Sequence, residues 1–318
     1  MSNSDDELEA FKRLPINYAA AAFGYRIIKK KSSRHSAVMV GKNGHKIICS
    51  TARHDRHGIF FSTDGHHSGS IIDLVQYVTG ENLGGVRKAL RPLLHDGGLP
   101  NNLDEAGWKL EPSITDFLGV LARFSNFEHI SSRHAFLCDT RQICEPLLLS
   151  DRFNGRIFHD PANGNAIFPH WGTPDGSNDR CLVGYVIKND GLTMFSKGGK
   201  KGLWPSNVHP DDHTLVICES AIDALSYATL KHGPAAPVRY VSTGGQLNPE
   251  QPALLQSAIA RLPANSTVTI AVDNDDGGDL LTRTLTHIFN AISRKDLILS
   301  VDRPETRGFD WNRALTHG

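Results

Sequence analysis

Four short apolar runs rich in β-branched residues, at 215–218, 239–242, 268–272 and 297–301, alternate with helical patterns through the last third of the chain. Few folds accommodate that alternation. Runs of four or five such residues suit strands buried on both faces, and parallel strands need a crossover of a dozen or more residues, usually a helix. Ala221, Ala224, Leu225 and Ala228 give the first crossover one apolar face. Leu281, Leu285, Ile288 and Ile292 do the same for the third. Asn248-Pro249 predicts the start of the second, with asparagine as cap and proline at the first helical position. The expected fold class is mixed α/β, with a C-terminal, mainly parallel sheet flanked by helices over 209–318.

The earlier sequence reads differently. At 318 residues the chain is long enough for two or three compact units. Residues 1–98 predict a small unit with strands at 36–40, 46–50 and 58–62 and helices near 70–78 and 83–94. Gly97-Gly98, Pro100 and Asn101-Asn102 mark a linker over 99–112. Residues 113–208 open on a helix and continue as strands at 166–169, 181–188 and 192–196 between Asn-Gly, Asp-Gly and Gly-Gly turns, an α+β region.

Lys plus Arg total 34 and Asp plus Glu 34, so net charge supplies no argument for nucleic-acid binding. The distribution does. Bases gather at Lys29-Lys30-Lys31, Arg34, Arg53, Arg56 and Arg87-Lys88, and at Lys197 with Lys200-Lys201, while acids gather at 211–223 and 273–279. The five cysteines are scattered and form no C-x-x-C pair, which reads as reduced thiols. No signal peptide and no apolar run of membrane-spanning length is apparent, so the expectation is a cytoplasmic protein without membrane contact.

In an open parallel sheet, ligands bind beyond the carboxyl ends of the strands. Glu219 directly follows one predicted strand and Asp273 and Asp275 directly follow another, so the two clusters are expected on one rim. Oxygen ligands without soft donors favour Mg²⁺ or Mn²⁺. A lone Asp-x-Asp at a strand end is equally well explained as helix capping; the combination of both clusters is the more specific signal.

The stretch Leu215-Val216-Ile217-Cys218-Glu219-Ser220-Ala221-Ile222-Asp223 resembles the first motif of the Toprim family, and Asp273-Asn274-Asp275-Asp276-Gly277-Gly278 its D-x-D-x-x-G motif. Ser242-Thr243-Gly244-Gly245 stands where the family has a glycine turn. Asp310-Trp311-Asn312 resembles the K-D-W-N ending of plasmid and phage primase-like members, with Phe309 in place of lysine. The resemblance implies Mg²⁺-dependent phosphodiester chemistry on nucleic acid. Glu219 would be general acid/base, Asp273 and Asp275 would be metal ligands along with Glu219, and Asp223 would be a supporting catalytic acid.

The region at 153–204, with Ala166-Ile167-Phe168-Pro169 and Leu182-Val183-Gly184-Tyr185, resembles the lobe that precedes Toprim in bacterial-type primases. Ser196-Lys197-Gly198-Gly199-Lys200-Lys201-Gly202 fits its basic glycine turn, although a solvated hairpin explains the same residues. Arg156, Lys197, Lys200 and Lys201 are the candidates for phosphate contact there. Trp204 reads as a core residue more readily than as a base-stacking one.

Gly69-Ser70-Ile71-Ile72-Asp73 resembles the helix start that follows a primase zinc ribbon, yet the positions of the expected cysteines are Ser62 and Gly65. Residues 1–98 therefore read as a degenerate ribbon without zinc, despite Cys49, His54, His57, His66 and His67 nearby. Lys30 and Arg34 on its basic face are candidate DNA contacts. The whole arrangement implies primase-like synthesis on DNA, preferably single-stranded, from ribonucleotides, with a helicase or relaxase of a mobile element as partner. A Toprim nuclease and a non-catalytic DNA-binding accessory protein stand as alternatives. A topoisomerase does not fit, because no tyrosine-bearing strand-passage region is apparent.

Overall fold

The computed structural model describes residues 3–33, 36–50, 57–63, 67–94, 115–174 and 179–318. The chain divides into two compact units, Met1–Ile114 and Thr115–Gly318. Arg34, Arg53, His54, Arg56, His66 and the expected linker lie outside the described residues.

In the first unit, helices α1 (Asn3–Lys12) and α2 (Ile16–Ala22) precede a five-stranded antiparallel sheet in chain order: β1 (Arg26–Ile27), β2 (Ser36–Val40), β3 (Lys46–Ser50), β4 (Ile59–Ser62) and β5 (Ser68–Gly69). Alternation gives it one buried face, with Ala37, Met39, Ile47, Cys49 and Phe60 packed in one core with Phe11 and Leu74. Burial pushes the Cys49 thiol up to about 12. The Ser70–Asp73 pair forms a capping box that starts α3 (Ile71–Thr79): the Ser70 hydroxyl accepts from the Ile72 amide, and the Asp73 carboxylate accepts from the Ser70 amide at 2.7 Å. The Gly-Ser-Ile-Ile-Asp pattern is thus a helix start, as expected. Glu7 on α1 pairs with Arg87 of α4 (Leu83–Leu90) at 2.6 Å and with Arg91 at 2.7 Å.

The second unit holds two sheets. The antiparallel one orders as β10-β9-β8-β7-β6: β6 (Glu128–His129), β7 (Phe158–Asp160), β8 (Asn165–Gly172), β9 (Cys181–Asn189) and β10 (Leu192–Phe195). Its helices are α5 (Phe117–Phe124), capped by Asp116, and the short α6 (Glu145–Leu148). The other sheet orders as β11-β13-β12-β14-β15, from β11 (Trp204–Pro205), β12 (Thr214–Cys218), β13 (Val238–Ser242), β14 (Thr267–Ala271) and β15 (Ile298–Asp302). The last four are mutually parallel and only β11 runs against them. Crossovers are α7 (Ala221–Lys231), α8 (Gln251–Ala260) and α9 (Asp276–Asn290), and α10 (Trp311–His317) closes the chain.

Strand alternation explains the layering. Val216 and Cys218 pack with Ala224, Leu225 and Trp311 on one face, while Leu215 and Ile217 pack with Leu255, Ile259 and Leu285 on the other. Trp204 is fully buried and stacks on Phe153. The two sheets are joined by a reciprocal backbone pair, Trp171 N to Leu203 O at 2.7 Å and Leu203 N to Trp171 O at 2.9 Å. One expectation shifts: α8 begins at Gln251 rather than at Pro249. The Asn248 side-chain Oδ1 still accepts from the Glu250 and Gln251 amides at 3.0 Å, so it caps a turn that leads into the helix.

Arg152 and Asp212 form a bidentate pair at 2.7 and 2.6 Å, with both side chains almost wholly buried. Arg152 also donates to the Asn207 and Ala236 carbonyls, so the charge is fully solvated by protein. Asp212→Ala strands a buried guanidinium and is expected to lower unfolding free energy by about 3–5 kcal/mol. Urea denaturation measures it, and a loss under about 1 kcal/mol would mean the pair acts like an exposed one.

Candidate active site

The parallel sheet positions the site through its strand order. The chain leaves central β12 for β13 on one side and later returns to β14 on the other, so the carboxyl end of β12 is a topological switch point. Glu219 stands there. Cys218 pairs with Ala271, which brings the residues after β14, Asp273 among them, to the same rim. A cavity of about 380 Å³ opens at this point, and its lining includes Glu219, Asp223, Asp273 and Asp310 together with Arg141, Lys188 and His170.

Helix capping pins several of these carboxylates. Asp223 and Ser220 form a capping box for α7, with the Asp223 carboxylate accepting from the Ser220 hydroxyl at 2.6 Å and the Ser220 amide at 3.2 Å. Asp310 caps α10 through the Arg313 amide at 2.5 Å. Asp275 caps α9 through the Gly278 amide at 2.7 Å and does not line the cavity. Capping and site-building are therefore not alternatives here: a helix N-terminus stabilises negative charge and fixes its place. Two glycines make the close approaches possible. A Cβ at Gly278 would land on the Asp273 carbonyl oxygen. At Gly244 the backbone has φ of +67°, and a Cβ would meet the His170 ring at 2.7 Å.

The electrostatics follow from crowding and burial. Burial first, then Asp223 and Asp275, push Glu219 up to about 7, against an opposing pull from Lys201. Asp273 is also raised, by burial and then by Asp223 and Glu219, and Asp223 by burial and then by Asp310. Burial lowers Lys188, with Asp223, Asp310 and Glu219 pulling it back. His170 is held down to about 4 by burial, so its ring is neutral at pH 7; Nδ1 donates to the Gly202 carbonyl at 2.8 Å. The Asp273 Oδ1 atom is buried without a hydrogen-bond partner.

That orphaned oxygen and the raised carboxyls suit a hard cation, because each lacks the positive charge that would justify its ionised form. Among the described residues no group of three or more His, Cys, Asp or Glu side chains is already arranged around one point to hold a metal. The donor chemistry fits Mg²⁺; the side chains would have to turn inward.

Of the basic candidates, Lys201 is nearest the acids, its ammonium donating to the Gln246 carbonyl at 2.8 Å and its charge lowering Glu219. Lys200 is paired instead with Glu250 at 2.5 Å. Lys197 is exposed, and its carbonyl accepts from Arg123. Arg156 donates to Asn207 at 2.7 Å and lies over the Trp171 ring. None of these four side chains lines the carboxylate cavity. Lys30 falls in a 3₁₀ turn of the first unit, Lys29–Lys31.

Sequence reasoning missed Lys188, Arg141, His170 and the cavity-facing role of Asp310. Asn312 explains part of the Asp-Trp-Asn ending: its amide nitrogen donates to the Arg141 carbonyl at 2.8 Å and its oxygen accepts from the Arg141 guanidinium at 3.2 Å. The signal was present in that tripeptide, but its partner lies 171 residues away.

A raised carboxyl leaves a pH signature. Folded Glu219 titrates near 7 and an unfolded glutamate near 4.5, so the folded state keeps the proton longer and Glu219 weakens the fold progressively as pH rises through that window. In EDTA, Glu219→Gln should have a higher urea midpoint than the parent at pH 8, and the advantage should vanish near pH 4.5. An advantage that grows toward low pH would contradict the assigned direction.

Comparison with known proteins bears on the C-terminal region. No curated protein sequence matches the chain. The primase fragment of the bacteriophage T7 primase-helicase protein superposes with a TM-score of 0.42 at 14% identity, over 68% of this chain and 81% of that one. A DNA primase domain from Pseudomonas aeruginosa superposes with a TM-score of 0.32 at 13% identity, over 54% of each chain. Residues 216–315 match the family model described as Toprim-like, and the chain carries a Toprim-like domain at its C-terminus.

Proposed function

We propose that the protein carries out nucleotidyl transfer on nucleic acid, as a primase-like enzyme that joins ribonucleotides on single-stranded DNA. The observation that carries this reading is the convergence of four carboxylates with Arg141 and Lys188 in one cavity at the switch point. Carboxylates alone would suit water activation as well as polymerisation. Arg141 and Lys188, supplied by the antiparallel half of the unit, add what a triphosphate needs: a planar donor fork and a point charge beside the acids.

Each residue then has a task. Glu219, titrating near 7, exchanges a proton at its carboxylate close to neutral pH. Glu219, Asp273 and Asp310 would hold Mg²⁺ or Mn²⁺, with Asp275 adding negative charge from its capping position and Asp223 orienting the rim. The metal, when bound, supplies charge neutralisation for the transferring phosphoryl group. Lys188 and Arg141 bind phosphate oxygens, and Lys201 holds the wall beside Glu219. Lys197, Lys200 and Arg156, together with Lys30 and Arg34 of a degenerate, ribbon-like first unit, are assigned to template. A mobile-element helicase or relaxase as partner rests on the sequence resemblance alone.

Incubation with single-stranded DNA, ribonucleotides and Mg²⁺ or Mn²⁺ should yield short oligoribonucleotides, and Glu219→Gln should lower the rate by about 100- to 10,000-fold. Lys188→Ala should raise the KM for nucleotide more than it lowers kcat. Shortened or nicked DNA would replace synthesis by nuclease chemistry, and no product with either metal would sink the catalytic reading. Metal binding has its own readout: Mg²⁺ should raise the thermal midpoint of the parent and leave that of Asp273→Asn unmoved.

A further inference from the structure

A second cavity, of about 340 Å³, lies beside edge strand β11 and helix α8 and shares no lining residue with the carboxylate cavity. Its charge is the reverse. Arg180, Arg239 and Arg261 line it, and among the described residues no aspartate or glutamate does. Asp212, the carboxylate whose charge Arg239 feels, is already held bidentate by Arg152. Trp171 also forms part of the lining.

The buried polar atoms left over in this wall are donors. Trp171 Nε1 and Arg239 Nε are both shielded from solvent without a hydrogen-bond partner. Both atoms belong to lining residues, and buried donors are normally satisfied, so this wall is rich in donors and short of acceptors. Arg180 is preset by donating to the Ser257 hydroxyl at 2.9 Å, and Arg239 by donating to the Ala258 carbonyl at 2.8 Å. The remaining wall is mainly apolar, and Val208 stays 63% exposed at its edge.

We propose that this cavity binds a nucleoside phosphate, independently of the carboxylate cavity and without a metal ion. A phosphate group answers the guanidiniums. A flat base answers the apolar wall, which inorganic phosphate would leave bare. The volume falls in the range of small-ligand sites, about 300–1,000 Å³. Because no carboxylate among the described lining residues opposes the phosphate, no cation is needed to bridge them, in contrast to the acidic cavity. The inference stands whether or not the carboxylates catalyse.

The test is calorimetric titration of the full chain in EDTA with ADP, GDP, CDP and UDP, with pyrophosphate and adenosine as phosphate-only and base-only probes. At least one diphosphate should bind, and both partial probes should bind at least tenfold more weakly than it. Arg180 and Arg261 are exposed at the rim, so the Arg180→Ala/Arg261→Ala double variant should keep the parental urea midpoint. It should bind the nucleotide about 30-fold more weakly or worse. Asp273→Asn should bind as the parent does. Absence of nucleotide binding, an undiminished double variant, or loss on Asp273→Asn would overturn the assignment. So would capture of a short oligonucleotide through these arginines by a protein that ignores mononucleotides.

Discussion

Mutual repulsion among carboxylates at the end of β12 is the constraint around which the second unit is arranged. Two unit charges about 4 Å apart repel by about 4 kcal/mol at an effective dielectric near 20, and burial adds a desolvation penalty to each. Glu219, Asp223, Asp273 and Asp310 are nevertheless gathered in one cavity. The fold tolerates them by placing Asp223 and Asp310 at helix N-termini, where backbone amides hold the charge, and by letting Glu219 and Asp273 keep protons that exposed acids would lose. A protein selected for stability alone would dilute this cluster. Its survival beside an orphaned Asp273 oxygen makes sense if a cation belongs there.

The remaining relief comes from outside the parallel sheet. Lys188 sits on β9 opposite Ala166 and Thr193, so the register of three antiparallel strands decides whether an ammonium faces the acids. Arg141 lies between β6 and β7 of that sheet and is held by Asn312 from the last helix. The Ser226 hydroxyl on α7 accepts from the same Asn312 amide at 3.0 Å. One asparagine thus binds the cation's anchor to the helix that carries Asp223. The antiparallel half is not a passive lead-in to the Toprim-like domain: without its register, the cavity would hold acids only.

Local periodicity made the strands legible. Five-residue β-branched runs with helical stretches between them admit few sheets, and acids directly after two such runs mark the rim by strand polarity alone. Glycines were legible as turns, but their reason was not, because His170 meets Gly244 from another sheet. Lys188 was invisible for the same cause: a lysine in an alternating strand reads as solvent-facing until the neighbouring sheet is known. Lys200 and Lys201 read alike in sequence, yet Lys200 pairs with Glu250, 50 residues on, while Lys201 lowers Glu219. Asp310 was read within a family ending, yet its place among the other acids depends on how α10 returns to α7.

Composition concealed what matters most about charge. Equal totals of basic and acidic residues suggest a neutral surface, whereas the second unit gathers carboxylates in one cavity, offset there by Arg141 and Lys188, and three arginines in another. The divide runs through consecutive residues of β8: His170 lines the acidic cavity and Trp171 the arginine-rich one, at the point where the β8–β9 register slips. A bulge changes strand twist locally and re-aims the side chains beside it. Here the surrounding backbone is fixed from both sides, by the Trp171–Leu203 pair and by the Gly202 carbonyl, which accepts from both His170 and Gln251. Opposite charges can therefore sit on two sides of one strand without collapsing into ion pairs, because the wall between them is hydrogen-bonded backbone that neither set of side chains can cross.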